Sequence, residues 1–223
     1  YMTVARVGPL GSKLRFELIA ATRADMSALR GLGTYGFIKG ASGFIVGAMT
    51  AHQKNLEDFG YRMEAIILKA TELGLGTCWL GGTFTKSSFA RKMALQDNES
   101  IPAVTSIGYM AETPRWVDGK IRQAAGSDQR LPWEKLFFDQ NFEKPLVAPI
   151  RAEYTQALEM VRLAPSASNR QPWRMIKDGD RWHFYLRRSR GYRSNNYAKM
   201  LQMADLQRVD MGIAMCHFEL TLR

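Results

Sequence analysis

Cysteine, histidine and long apolar runs are all scarce in this chain. Two cysteines in 223 residues, Cys78 and Cys216, leave neither a disulfide framework nor a cysteine-rich metal centre to build. The three histidines, His52, His183 and His217, lack ligand spacing and read as structural, so no metal is expected. The longest apolar stretch, Gly43 to Met49, falls far short of the roughly 18 residues a membrane helix needs. No basic start leads into an apolar stretch and a small-residue cleavage site, so the expected setting is reducing and cytoplasmic. Tyr1 in place of Met, and helical periodicity running out through His217 to Arg223, leave both ends reading as incomplete. Paired catalytic carboxylates, a Ser/His/Asp order and a Walker loop are missing as well. A chain without reactive groups of its own is expected to bind a cofactor that does the chemistry, and no residue is assigned a catalytic role.

Positive charge, by contrast, is in excess. Lys and Arg number 31 against 21 Asp and Glu, a net +10, which favours anionic partners. The run Arg187-Arg188-Ser189-Arg190-Gly191-Tyr192-Arg193 raises nucleic acid as one class, although a solvated hairpin edge explains it more simply, and no nucleic-acid partner is expected.

Periodicity predicts a half-buried strand over Leu14–Ala20, a polar helix over 22–30, a buried strand over 43–49 and an amphipathic helix from Leu56 to Leu73. Asn55 reads as the cap of that helix and Gly74 as its stop. A loop over 74–83, a short helix over 87–94 and a strand over 104–110 follow, and 111–150 reads as irregular. A second helix, Glu153–Ala164, ends at Pro165. The pair Asp178-Gly179 marks a hairpin between 173–177 and 181–187.

An internal echo organises the whole. Asp58-Phe-Gly60-Tyr-Arg-Met63 and Asp210-Met-Gly212-Ile-Ala-Met215 share Asp-x-Gly-x-x-Met at the start of an amphipathic helix. Glycine inside a helix costs about 1 kcal/mol against Ala, which makes sense if Gly60 and Gly212 lie where two copies of one unit cross. The expected boundary sets residues 1–150 as the first unit and 151–223 as the second, packed as one domain.

Two loops carry the candidate chemistry. Gly74-Leu-Gly76-Thr-Cys78-Trp79-Leu80-Gly81-Gly82 can lay backbone amides against a flat ligand because no Cβ intervenes. Cys78 within it reads as a small buried thiol. Pro165-Ser166-Ala-Ser168-Asn169-Arg-Gln171-Pro172-Trp173 gathers hydroxyls and amides able to read the edge of a heterocycle. Gly31-Leu-Gly33-Thr-Tyr-Gly36 matches a dinucleotide fingerprint, but it lacks the strand before and the helix after that such a site requires.

At these loops the sequence resembles the FMN-dependent nitroreductase family, in the single-chain variant that duplicates the unit. Asp58-Phe-Gly-Tyr and Arg130-Leu-Pro132 fit the same family pattern. The resemblance implies an α+β fold, a mixed, mostly antiparallel sheet flanked by helices, with FMN held between the two units. It places Leu80, Gly81 and Gly82 beside the flavin and Arg130 at its phosphate, with Pro165, Ser166, Ser168 and Asn169 coming from the second unit. It implies an NAD(P)H-dependent oxidoreductase acting on a nitroaromatic or quinone-like acceptor, as a monomeric pseudo-dimer or a homodimer. Gly81 stands where many members carry Glu, so a flavin-binding protein without turnover is the alternative reading.

Overall fold

Eight residues of unbroken apolar or small character, Gly43–Thr50, form the strand on which the structure is built. The computed structural model describes residues 6–21, 27–34, 36–113, 116–124, 126–147, 150–192 and 203–223. The first sheet orders β1 (Leu14–Ala20), β2 (Gly43–Thr50), β5 (Val104–Gly108) and β3 (Gly76–Leu80), all antiparallel, with the short β4 (Glu99–Ser100) pairing the end of β2. Alternate residues of β2 feed two separate cores. Phe44, Val46 and Ala48 pack with Leu80, Phe84, Phe89 and Val104 on one face, whereas Ile45 and Met49 join Phe59, Met63 and Ile66 on the other. Burial on both faces explains the continuous apolar run.

Phe59, Met63 and Ile66 belong to helix α1 (Asn55–Glu72). Its end is a Schellman closure, with Gly74 at φ +76 and the amides of Gly74 and Leu75 donating to the carbonyls of Thr71 and Ala70. Asn55 is the first helical residue and not the cap. Its amide donates to the Thr50 carbonyl at 3.1 Å, tying the helix to the end of β2.

The second sheet is smaller. β6 (Phe137–Asp139) runs parallel to β7 (Trp173–Asp178), which pairs antiparallel with β8 (Arg181–Leu186). The register sets Asp178 opposite Arg181, so the tight turn is Gly179-Asp180, one residue beyond the expected pair, with Gly179 at φ +57. Helix α4 (Ala152–Leu163) and the last helix, α5 (Leu206–Leu222), pack beside this sheet. Between α1 and α4 in chain order lie α2 (Lys86–Lys92) and α3 (Trp116–Ala124); with α3, the 3₁₀ turn Trp133–Lys135 and β6 inside it, 111–150 is less irregular than its composition suggests. Only 27–30 of the expected first helix falls among the described residues, and Ser27–Leu29 there form a single 3₁₀ turn.

Helices α1 and α5 cross in backbone contact. A methyl carbon on Gly60 would overlap the Val209 carbonyl oxygen, and one on Gly212 would overlap the Glu57 carbonyl oxygen and stand 2.6 Å from the Tyr61 amide nitrogen. Both glycines of the internal echo therefore mark the crossing. Polar ties then fix its register. Arg208 bridges Glu57 at 2.9 and 2.6 Å, Glu64 accepts from Trp79 Nε1 at 2.9 Å and contacts His217 Nε2 at 2.8 Å, and Tyr61 donates to Glu219 at 2.8 Å.

Gly212→Ala should cost at least about 2 kcal/mol by overpacking backbone against backbone, read as a lower urea midpoint. Gly119→Ala, in α3 where nothing lies within 4 Å of the added carbon, should instead gain about 0.5–1 kcal/mol. Equal midpoints for the two variants would contradict the crossing.

Candidate functional site

The edge strand β3 ends by burying Leu80, 3% exposed, in the second core. The chain then turns through Gly81 and Gly82 to Phe84 and enters α2 at Lys86. Leu206 Cδ1 and Met203 Cε stand 2.5 Å from where Cβ atoms of Gly81 and Gly82 would lie, so any side chain here would push into the start of α5. Gly33 supports the turn from behind, its carbonyl accepting the Thr85 amide at 3.0 Å. This contact is the structural use of the dinucleotide-like glycines.

The facing wall is the loop after α4. Pro165 forbids helix continuation, and Ala164 before it is extended at φ −54, ψ 146. Ser168, Asn169 and Gln171 then occupy the left-handed region at φ 50, 51 and 47. Each such residue costs of order 1 kcal/mol or more and persists only where its surroundings over-determine it. Here they do. Asp210 Oδ1 accepts the Ala167 amide at 2.9 Å, and Ser166 Oγ accepts the Gln171 amide at 2.9 Å. Asn169 Nδ2 donates to the carbonyls of Gly126 and Gln129 at 2.6 and 2.8 Å, and Gln171 Oε1 accepts the Leu131 amide at 2.8 Å.

Between the two walls lies a cavity of about 960 Å³. Gly81, Gly82, Pro165, Ser166 and Ser168 all line it, so five of the sequence-derived site residues come together although more than 80 positions separate the two loops. Three do not reach its lining. Leu80 points into the core beneath. Asn169 spends its Nδ2 on the backbone carbonyls of Gly126 and Gln129, and Gln171 Oε1 accepts the Leu131 backbone N–H, so these amides build the loop and do not face a ligand edge. Arg130 Nη1 donates to the Ser127 and Gln129 carbonyls at 2.7 and 2.8 Å, and Nη2 donates to the Leu163 carbonyl at 3.1 Å, which makes it a brace behind the loop. The expected phosphate role for Arg130 finds no support in that placement.

The cavity also recruits residues to which no site role was assigned from the sequence: Thr83, Thr85, Lys86 and Ser87 past the double glycine, Phe37, and Leu206, Val209, Asp210 and Ile213 from α5. Burial lowers the Lys86 ammonium below its usual range. A lysine opening a helix four residues after Gly-Gly was a readable signal. Cys78 is exposed on β3 and lies outside the cavity lining, contrary to the buried thiol expected, because β3 is a sheet edge and its side chains alternate outward. None of the three histidines lines the cavity. Among the described residues no group of three or more His, Cys, Asp or Glu could hold a metal ion, and no helix is long and apolar enough to cross a membrane.

Asp210 is the polar group at the cavity floor. It is 2% exposed, and its Oδ2 is buried with no hydrogen-bond partner among the described residues. Burial pushes its carboxyl up to about 8, the Ala167 amide opposing weakly, so the group is largely protonated at neutral pH. The matching Asp58 is satisfied on both oxygens, accepting the amides of Leu10 and Ser12 at 2.7 and 2.8 Å. Because folding raises the Asp210 pKa above its unfolded value, the native state holds a proton the unfolded chain has lost, and stability falls as pH rises from about 4 to about 8. Asp210→Asn should remove that part of the slope. Urea midpoints across this range decide it: identical pH slopes in the two proteins would show that Asp210 does not retain its proton.

The sequence model of the family described as "Putative TM nitroreductase" matches residues 3–222. Among solved structures, a "putative nitroreductase" from Thermotoga maritima MSB8 is similar at 23% identity and TM-score 0.49, over 94% of this chain and 65% of that one. Nitroreductase family proteins from Clostridium difficile 630 (19% identity, TM-score 0.38, 53% of this chain and 69% of that one) and Clostridium novyi NT (20%, 0.33, 44% and 62%) are more distant. This chain therefore spans about 65% of the length of the Thermotoga protein. No curated protein matches. By the family match over nearly its whole length, on an α+β scaffold with two facing loops around one cavity, the chain belongs to the "Putative TM nitroreductase" family.

Proposed function

We propose that this chain is an FMN-dependent oxidoreductase that takes reducing equivalents from NAD(P)H and delivers them to a nitroaromatic or quinone-like acceptor. The observation that carries the reading is the shared cavity, lined on one side by the double-glycine turn and on the other by the Pro165–Ser168 loop. Its volume of about 960 Å³ falls within the ~300–1,000 Å³ of cofactor pockets. Trp79, Phe37 and Ile213 supply apolar surface for a flat ring, Ser166 and Ser168 a hydroxyl edge, and Asp210 Oδ2 a buried polar atom still wanting a partner. These residues fit a flavin. When bound, FMN supplies the hydride chemistry.

The chain's own residues have distinct tasks in this reading. Gly81 and Gly82 keep the wall free of side chains so that the backbone can approach developing negative charge. Lys86, inside the lining, takes over the phosphate-binding role from Arg130. Asp210 holds a proton at neutral pH and offers it as a hydrogen bond from the cavity floor. We also propose that the two halves are diverged copies of one unit, so that one chain supplies both walls. The paired anchoring of loop 8–12 by Asp58 and of loop 165–169 by Asp210 supports it.

Purified protein, or protein incubated with FMN, should absorb near about 450 nm as flavoproteins do; protein that stays colourless after FMN addition would overturn the proposal. Lys86→Met should weaken FMN binding about tenfold, or about 1.4 kcal/mol, measured by quenching of flavin fluorescence. The second reading, flavin binding without turnover, is favoured by Gly81 at a position where a carboxylate side chain is common. Anaerobic mixing with NADPH separates the two: rapid bleaching marks the enzyme, and a persistent yellow colour marks the binder.

A further inference from the structure

A second concave site lies on the far side of the cavity loop and shares no lining residue with the cavity. It measures about 490 Å³ and is lined by Lys135, Arg170, Arg174, Arg187, Arg188, Ser189 and Arg190. Three parts of the chain converge on it: the 3₁₀ turn Trp133–Lys135, the start of β7 and the segment leaving β8. Among the described residues no acidic side chain lines it. Arg188 is neutralised by Asp205 through paired bonds of 3.0 and 2.6 Å. Lys135, Arg170, Arg174, Arg187 and Arg190 form no ion pair among the described residues.

Arg174 makes the case specific. It is 9% exposed, its Nη1 donates to the Gln171 and Trp173 carbonyls at 2.9 and 2.5 Å, and its Nε is buried with no hydrogen-bond partner among the described residues. Burial and the positive charge of Arg187 push its guanidinium down to about 10, so it stays charged at neutral pH while sharing a pocket with other cations. A buried cation beside like charges is held at a loss unless an anion joins them. Guanidinium groups match phosphate oxygens by paired donors, which lysines cannot do.

We propose that this pocket binds the diphosphate of a small molecule, bridging Arg174 to Arg170, Arg187 and Arg190. A terminal diphosphate carries one more negative charge than a phosphate monoester and presents a second set of oxygens, so it meets more of the cations that form no ion pair among the described residues. The cations converge on one concavity and do not track along a groove, which argues against a nucleic-acid backbone.

Isothermal titration of inorganic pyrophosphate into the full chain at about 50 mM salt tests this. Saturable one-to-one binding is expected, weakened at least tenfold in Arg170→Gln/Arg187→Gln. Both replaced side chains are exposed and make no hydrogen bond among the described residues, so the fold and FMN uptake should persist. Arg174→Gln should abolish binding where it folds, and the double variant decides the matter where it does not. No heat from pyrophosphate, or equal affinity in the double variant, would overturn the proposal. Tighter binding of a short duplex DNA than of pyrophosphate would overturn it in favour of a nucleic-acid surface. The readout does not depend on flavin, so failure of the flavin proposal leaves this one standing or falling by itself.

Discussion

Everything in this molecule is positioned by the crossing of α1 and α5 at Gly60 and Gly212, where backbone meets backbone and no side chain can be admitted. That contact draws the two sheets onto one shared core, which takes residues from β2, α1, β6, β7, α4 and α5. It also sets the distance between the two loops that face each other across the cavity. Each crossing helix carries an aspartate two residues before its glycine, and each aspartate holds a loop by its backbone amides. The difference between them is chemical. Asp58 is fully satisfied, whereas Asp210 has an oxygen to spare at the cavity floor.

Two kinds of information were legible in the sequence. Strict periodicity located α1 and the ends of its core face, and the apolar run located β2. The repeated Asp-x-Gly-x-x-Met identified both crossing glycines because a helix-interior glycine has few other uses. The double glycine and the Ser/Asn cluster likewise identified both cavity walls.

What escaped depended on three-dimensional neighbours. Arg130 reads as a free phosphate ligand until the carbonyls of Ser127, Gln129 and Leu163 are seen around it. Asn169 and Gln171 look like ligand-reading amides until the loop's left-handed residues show what must be held in place. Cys78 reads as a buried thiol because no histidine stands near it in sequence to activate it, yet edge position in a sheet is a property of strand order, which no local pattern encodes. The basic run at 187–190 reads as a solvated face on its own, and becomes a pocket only when Lys135, Arg170 and Arg174 arrive from other elements.

The braced loop at 165–171 makes the cavity asymmetric in its mechanics. One jaw is over-determined, with strained residues locked by amide and guanidinium contacts at its back. The other is a glycine turn, where the flexible side chains of Leu206 and Met203 occupy the space that Cβ atoms on Gly81 and Gly82 would fill. Any adjustment of the cavity to molecules of different thickness must therefore come from the glycine side. Tolerance of ligands of different thickness would then be written in the rotamers of Leu206 and Met203, while the polar jaw keeps a constant face toward every ligand.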